Sequence, residues 1–409
     1  MGRWTLTLQK CLVAALFWPL QPVYGNEDQA ELIKVLQAQI EALAAKVEQL
    51  ETKHGEYPHQ IQTTRLATAQ TTAATVATPE VSWTDTIKLK GDFRYRHEAF
   101  DIQNHRDRHR QRLRARAQIN GRVNDTVRVG FGLASGNSNP TSTNQTLTDG
   151  SSSKDVVIDL AYVQWSARDE FALMAGKFKN PFHRAGNHAL LWDGDLNPEG
   201  VGITFKSGNV FANALFSWVD ESSSDDDSFL VGGQVGIDAD AGDGAIKLGV
   251  GYYNYLDSRG EYPFFDGQAM GNRLNADGEY LSDFELIEGF LEYGVGVGTG
   301  KLTLFADYVQ NQGADDDDTG YALGTTYKIS KWQLGYTYQD LEADAVLGTY
   351  TDSDFIGGGT DGEGHILHAR YAINSKISLK STLFINDRGI DIGREEQYKR
   401  LMLDVNFKY

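Results

Sequence analysis

The chain has 409 residues, with 56 acidic against 38 basic side chains and a net charge of −18 at neutral pH. Such acidity argues against a nucleic acid as partner, because both surfaces would carry negative charge. A content of 43 glycines and only 8 prolines fits closely packed, twisted strands better than a disordered chain.

Residues 1–25 have the layout of a secretory signal peptide. Arg3 and Lys10 form a short positive segment, an apolar run from 11 to 20 follows, and Gly25 offers a small residue for cleavage. The run has about 10 residues, too few to span a bilayer, which takes roughly 20. Cleavage would change the net charge from −18 to −20 and remove Cys11, the only cysteine. A thiol nucleophile and a Cys-based metal site are then excluded.

Residues 26–53 are predicted to form a coiled-coil helix. β-branched residues and leucines alternate there at the a and d positions of about three heptads. These positions are occupied by Ile33, Leu36, Ile40, Leu43, Val47 and Leu50. An amphipathic helix packed on its own domain is the alternative. Residues 54–83 are predicted to be a linker, because this Thr-, Ala- and Gln-rich stretch has few large apolar groups to bury.

From residue 84 to the C-terminus, apolar residues recur with a period of two. Leu89 and Phe93, for example, alternate with Lys90 and Arg94. This pattern predicts strands with one apolar face. A transmembrane barrel therefore has no long apolar run, because only alternate residues of its strands contact lipid. The predicted strands are 86–97, 108–121, 126–135, 156–166, 170–179, 200–206, 210–219, 229–238, 245–256, 285–297, 301–311, 320–329, 332–340, 365–373, 377–386 and 399–409.

The fold class predicted for residues 84–409 is all-β, a 16-stranded antiparallel transmembrane β-barrel. Short turns alternate with long connections, as in outer-membrane barrels, where the short turns are periplasmic. Both ends of the strand array then lie in the periplasm, together with the coiled coil. The last strand alternates from Leu401 to the terminal Tyr409, as expected of a strand presented to the barrel-assembly machinery. The predicted location is the outer membrane of a Gram-negative bacterium.

Three segments resemble a known family: AYVQW at 161–165, MAGKFKNPF at 174–182 and LLWDGDLNPEGVGITF at 190–205. They resemble the bacterial putative porins, which are sixteen-stranded outer-membrane barrels, and are also similar to the phosphate-selective porins. The resemblance covers roughly residues 27–409, and its most specific part is Trp192 to Gly200. It implies a homotrimer with a third loop folded into the lumen. The heptads favour a dimer, so the sequence leaves dimer and trimer open.

The connection at about 180–200 is too apolar for a freely solvated loop and is predicted to form the constriction. Basic side chains of the strands are predicted to face inward, since lipid contact would cost roughly 2–4 kcal/mol each near the midplane. The pore-lining basic residues are predicted to be Lys88, Lys90, Arg94, Arg96, Arg112, Arg114, Arg116, Arg128, Arg370, Lys380 and Arg400. The acidic residues predicted to oppose them from the constriction loop are Asp193, Asp195 and Glu199.

These features predict a diffusion porin for ions and small hydrophilic solutes, because a barrel of 16 strands leaves an aqueous channel. The alternative is a phosphate- or oxyanion-selective porin, since arginine forks suit such anions. A structural tether to the periplasm and a barrel enzyme are the alternatives of another class. No cofactor, metal or catalytic site is predicted, and GxSxG and HExxH motifs do not occur. Outer-membrane lipid and lipopolysaccharide are the expected partners; acidic runs at 225–227 and 315–318 are either solvated loop tips or sites for bridging cations.

Overall fold

A computed structural model describes residues 86–221 and 227–409, so the predicted signal peptide, coiled coil and linker lie outside the described residues. Sixteen long strands form one antiparallel sheet. They are β1 Ile87–Ile102, β2 Arg108–Arg122, β3 Val127–Ser135, β4 Val156–Arg168, β5 Phe171–Lys177, β6 Glu199–Ser207, β7 Val210–Asp220, β8 Ser228–Ala241, β9 Gly244–Leu256, β10 Phe284–Val297, β11 Gly300–Asn311, β12 Thr319–Ile329, β13 Trp332–Leu341, β14 Gly362–Ala372, β15 Ile377–Arg388 and β16 Glu396–Lys408.

The sheet closes on itself, because β16 pairs with β1 over Lys408↔Asp92 to Tyr398↔Ile102. Every other strand pairs with its neighbours in sequence. The predicted all-β, 16-stranded antiparallel barrel is therefore confirmed. The largest error in the strand ends is at β1, which was predicted to end at 97 and continues to Ile102. A two-residue strand, Gln145–Thr146, extends the sheet beside β2, where β3 is too short to reach.

The outer face of the barrel is an apolar belt. On β1, Leu89, Phe93 and Tyr95 are exposed and alternate with Arg94 and Arg96, which point to the other face. The same alternation of exposed apolar and inward polar groups runs through the remaining strands, as a membrane-facing barrel requires. None of the helices in the described ranges is long and apolar enough to cross a membrane.

The main hydrophobic core lies inside the barrel. Inward apolar side chains of β7 to β13 pack against the connection between β5 and β6, which covers residues 178–198. We call this connection the constriction loop. Because the loop fills one side of the lumen, the open space is displaced towards β14, β15, β16, β1 and β2. This asymmetry positions the site described below.

Tyr409 joins the last strand to the first two strands through hydrogen bonds, at the junction that we call the seam. The backbone N–H of Tyr409 donates to the Gly91 carbonyl over 3.1 Å, and the Gly91 N–H donates to the Tyr409 carbonyl over 3.2 Å. The Tyr409 hydroxyl donates to the Arg116 carbonyl on β2 over 3.0 Å. The ring thus crosses β1 at Gly91, where a Cβ atom would lie 2.4 Å from the ring.

We expect Gly91→Val to destabilise the folded barrel, because the new side chain overlaps both the Arg116 carbonyl and the Tyr409 ring that donates to it, and overpacking typically costs about 1–3 kcal/mol. The measurement is the temperature at which the folded band is lost on a heat-modifiability gel. Gly289→Val is the matched control: Gly289 also faces outward within a strand, but nothing lies within 4 Å of its Cβ position. Equal melting of both variants would contradict the role assigned to the seam.

Candidate functional site: the lumenal eyelet

The constriction loop is held in the lumen by apolar packing and by one glutamine. Trp192, 1% exposed, lies with its ring 5.0 Å from that of Tyr253 on β9, and Phe182 lies 4.8 Å from the same ring. Gln234 on β8 accepts from the His183 backbone N–H over 2.7 Å and donates to the His183 carbonyl over 2.9 Å. This pairing imitates a strand ladder and fixes the loop against the wall.

A buried carboxylate beneath the loop orients that glutamine. Glu288 on β10, 1% exposed, accepts from the Gln234 amide over 3.1 Å and from the Tyr253 hydroxyl over 2.6 Å. The Gln234 amide nitrogen therefore faces Glu288, and its oxygen faces the His183 N–H. The loop therefore takes its position from β8, β9 and β10 rather than from its own sequence alone.

A second connection, residues 342–361 between β13 and β14, also folds into the lumen; we call it the upper loop. The sequence led us to predict only the constriction loop inside the lumen, not this connection. Its apolar side chains are buried, as those of the constriction loop are. The apolar residues themselves were the sequence signal that could have predicted a position inside the lumen. The buried apolar residues are Ala343, Ala345, Val346, Leu347, Phe355 and Ile356.

The two loops meet at Asp193. The Asp193 backbone N–H donates to the Tyr350 carbonyl over 2.8 Å. Its carboxylate accepts from the Ser353 N–H over 3.0 Å and from the Asp195 N–H over 2.7 Å. The tip of the constriction loop and the upper loop therefore form one hydrogen-bonded bridge across the lumen.

The upper loop is tied to the barrel wall by buried ion pairs. Asp354 accepts from Arg96 on β1 over 2.9 Å and from Arg400 on β16 over 2.8 Å. Arg96 also forms a two-bond pair with Asp404, with distances of 2.7 and 3.1 Å, and Arg400 pairs with Glu98 over 2.5 Å. Arg96 and Arg400 are both 2% exposed, so these charges interact in a partly water-free setting, where unpaired charge is costly.

The constriction loop contacts the wall through Asp195. Its carboxylate lies 2.8 Å from Arg116 and 3.4 Å from Arg114, both on β2. Asp92 on β1 pairs with the same two arginines over 2.9 Å each. The acidic loop and the basic wall were expected to face each other across a gap, whereas at this point they are in direct contact and neutralise one another.

All eleven basic residues predicted to line the pore lie on the face opposite the exposed apolar belt, but at different heights. Arg94, Arg96, Arg114 and Lys380 surround the cavity described next, whereas Arg112, Arg116 and Arg400 lie beside it in the wall. The rest lie towards the rim with the short turns and do not reach the cavity. They are Lys88, Lys90, Arg128 and Arg370.

Glu199 does not lie on the constriction loop, and its predicted position there was wrong. It is the first residue of β6 and shares its outward face with Val201 and Ile203, which are 37% and 36% exposed. Its carboxylate pairs with Lys177 over 2.6 Å. The loop ends before Glu199 because the β5–β6 ladder begins at Lys177↔Glu199.

Between the two loops and the wall lies a cavity of about 310 Å³, which we call the eyelet. Carboxylates of the two loops border it on one side: Asp193, Asp195, Asp352 and Asp354. Cations border it from the wall and from the loop: Arg94, Arg96, Arg114, Lys380 and Arg184. In a channel, a lining of this mixed charge at the narrowest part sets which solutes pass.

The loop carboxyl groups differ in their pKa. Burial and the nearby charge of Asp352 raise the pKa of Asp193 to about 8, and burial together with Asp354 raises that of Asp352 to about 6. Burial alone would raise the pKa of Asp195 as well, but Arg114 and Arg116 lower it below its usual range. At neutral pH, Asp193 is thus largely protonated, whereas Asp195 carries a charge.

We expect the bridge between the loops to weaken as the pH rises. A carboxyl whose pKa is raised in the folded protein contributes stability below its ordinary pKa, and loses it as the pH passes the raised value. For Asp352 and Asp193 that window ends at about 6 and 8. Protection of the upper loop from a protease should therefore fall between the ordinary carboxyl pKa of 3.8 and about pH 8, and should change little above pH 8.

Asp193→Asn should flatten this pH dependence, because an amide does not ionise. Its single oxygen can keep only one of the two N–H bonds, from Ser353 or from Asp195, so protection should be lower than in the wild type but nearly constant with pH. Asp169→Asn is the control, since Asp169 lies in an exposed turn between β4 and β5. An unchanged pH profile in Asp193→Asn would contradict the assignment to this carboxyl group.

Comparison with known proteins identifies the family. A family model described as "Putative porin" matches residues 101–263 and 320–409, together more than half of the chain. The fold is similar to Pseudomonas putida OprB at high pH, with a TM-score of 0.55 and 10% identity, over 79% of this chain and 94% of that one. Salmonella typhi OmpF in complex with daunomycin aligns with a TM-score of 0.51 and 7% identity, over 79% of this chain and 97% of that one.

At such low identity, these two structures establish the similarity of fold alone. A comparison with curated protein sequences found no match. The family model is the direct evidence, because it spans both the segment that carries the constriction loop and the strands that close the barrel. This chain therefore belongs to the family of putative porins.

Proposed function

We propose that the protein is a passive porin that lets ions and small hydrophilic solutes diffuse across the outer membrane. The observation that carries the proposal is the eyelet: a polar cavity of about 310 Å³ inside a closed barrel with an apolar outer face. Family membership supports a channel role and an outer-membrane location. A barrel of 16 strands is wide enough for an aqueous channel.

We propose a weak anion preference or none. Most of the basic wall is compensated, since Asp92 and Asp195 balance Arg114 and Arg116, and Asp354, Asp404 and Glu98 balance the arginines above them. Ion selectivity follows the charge that remains within a Debye length, about 8–10 Å. Arg184 lies near Asp193 and Asp352, so what remains around the eyelet is a small positive excess, from Arg94 and Lys380.

Assembly and partners follow from the resemblance and stay proposals. We propose a homotrimer embedded among outer-membrane lipid and lipopolysaccharide, with the N-terminal coiled coil in the periplasm. Tyr409 at the seam supports recognition of the C-terminal strand by the barrel-assembly machinery. Bridging of lipopolysaccharide by cations at the acidic loop tips is less supported: the first run lies partly outside the described residues, and Asp317 of the second already pairs with Arg273.

Selectivity for phosphate or another oxyanion is the second candidate. Arg96 and Arg114 both line the eyelet, but their forks already bind carboxylates of the protein. At these two arginines, a phosphate would have to displace the carboxylates. A tether or a barrel enzyme would need no open eyelet, and either becomes the better account if no solute passes.

The test is a liposome swelling assay with the full-length protein and uncharged sugars of increasing size. A passive porin gives swelling rates that fall smoothly with solute size and do not saturate with concentration. The triple variant Phe178→Ala, Phe182→Ala, Trp192→Ala should admit larger sugars, because the constriction loop loses its anchors. Folded protein that shows no swelling with any solute would contradict the proposal.

A further inference from the structure

Most polar groups around the eyelet already form hydrogen bonds or ion pairs within the protein. The few groups that do not are therefore candidates for binding a solute. Asp195 and Asp354 pair with arginines, Asp193 accepts two backbone N–H groups, and Asp352 accepts from the Asp354 N–H over 2.8 Å. The acidic side of the eyelet is therefore satisfied. Apart from Arg184, which lies near Asp193 and Asp352, the cationic donors that remain for a passing solute lie on the opposite wall.

Three groups with unused hydrogen-bond donors line the eyelet on β1 and β15 of that wall. The Lys380 ammonium on β15 has no hydrogen bond or ion pair with any residue that the structure describes. Arg94 on β1 donates to Asn144 over 2.5 Å, but its Nε is buried and has no partner. Thr382, 4% exposed and two residues from Lys380 on the same face, has a buried hydroxyl without a partner. Buried donors of this kind normally have partners.

The nearest strand carboxylate does not use these donors. Asp404 on β16 is the register partner of both Lys380 and Arg96. Both of its oxygens accept from Arg96, which leaves the ammonium of Lys380 available. Arg94 pairs in register with Asn406 on β16, a neutral residue. One strand thus separates two cations that no carboxylate neutralises fully.

The floor beside these donors is apolar. Ile366 on β14, Phe384 on β15 and Met402 on β16 line the same cavity and are 7%, 2% and 2% exposed. An inorganic oxyanion such as phosphate would gain nothing from this floor, because all its oxygens need polar partners. An organic acid would place its carboxylate on the donors and its carbon body on the floor.

We propose that the eyelet contains a seat for small organic carboxylates, formed by Arg94, Lys380 and Thr382 above Ile366, Phe384 and Met402. This inference rests on the proposed porin function and adds a solute class to it. A volume of about 310 Å³ lies at the small end of ligand pockets, roughly 300–1,000 Å³. A carboxylate would pause there and slow the flow of other ions.

The experiment measures block of the single-channel potassium chloride current by benzoate, in planar bilayers. Benzoate should reduce the current in a saturable way, phosphate should do so only at much higher concentration, and neutral benzamide should not block. Arg94→Gln combined with Lys380→Gln should raise the half-blocking concentration of benzoate about tenfold or more, because charge-assisted bonds are the strong ones. Thr382→Val should raise it about fivefold, as the loss of one neutral bond.

Two variants serve as controls. Lys90→Gln removes an inward charge from the same face of β1, four residues from Arg94 and outside the eyelet, and should leave the block unchanged. Lys380→Arg keeps the charge and should retain the block. A loss of block in Lys380→Gln but not in Lys380→Arg then reports lost charge, not a fold that cannot tolerate a substitution at this position.

Benzoate block that is equal in the wild type and the double variant would overturn the seat, and so would stronger block by phosphate than by benzoate. Calorimetric titration of benzoate into the detergent-solubilised protein separates this failure from failure of the pore. Benzoate binding that depends on Lys380, without any conductance, would support the carboxylate site and contradict the porin function. Conductance without benzoate binding would support the porin function and contradict the carboxylate site.

Discussion

Ion pairing between inward arginines and loop carboxylates is the interaction on which the arrangement of the lumen depends. Arg96 and Arg400 are both 2% exposed, and leaving such buried charges unpaired in the wall would be costly. Asp354 joins both and thereby brings the upper loop onto β1 and β16. Asp195 does the same for the constriction loop at Arg114 and Arg116. The arginines that were predicted to form an open basic wall therefore mainly position the two loops that narrow the lumen.

Apolar packing supplies the other half of this arrangement. The constriction loop covers inward side chains of β7 to β13 with its own, and so turns one side of the lumen into a core. Gln234, oriented by Glu288, adds the backbone hydrogen bonds. Hydrophobic burial provides the attraction, whereas the buried polar group fixes the position. Because the packed side excludes water, solutes are confined to the opposite side, where the eyelet lies.

Much of the barrel could be predicted from the sequence, because each strand carries its own period-two signal. Residues such as Phe93 and Arg94 fix the two faces locally, and a slip would expose charge to lipid. The contacts across strands could not be predicted in the same way. Whether Asp404 meets Arg96 depends on the stagger of the whole barrel, which no single strand encodes. The neutralisation of the wall was missed for this reason.

The candidate site was predictable only in part. Asp193 and Asp195 were placed on the right loop, but Glu199 was not, since a loop's end depends on where its flanking strands begin to pair. The upper loop was missed although Val346, Leu347, Phe355 and Ile356 carry the apolar signal that identified the constriction loop. Lys380 was grouped with the other basic residues. Its lack of a partner becomes visible only once the partners of its neighbours are known.

The most direct test of the neutralised wall is the reversal potential in a potassium chloride gradient, compared between the wild type and the double variant Asp195→Asn, Asp354→Asn. We expect a reversal potential near zero for the wild type. The double variant should shift strongly towards the chloride equilibrium potential, because its arginines then face the eyelet uncompensated. Asp169→Asn controls for loss of charge as such. Strong anion selectivity in the wild type, or no shift in the double variant, would contradict the account.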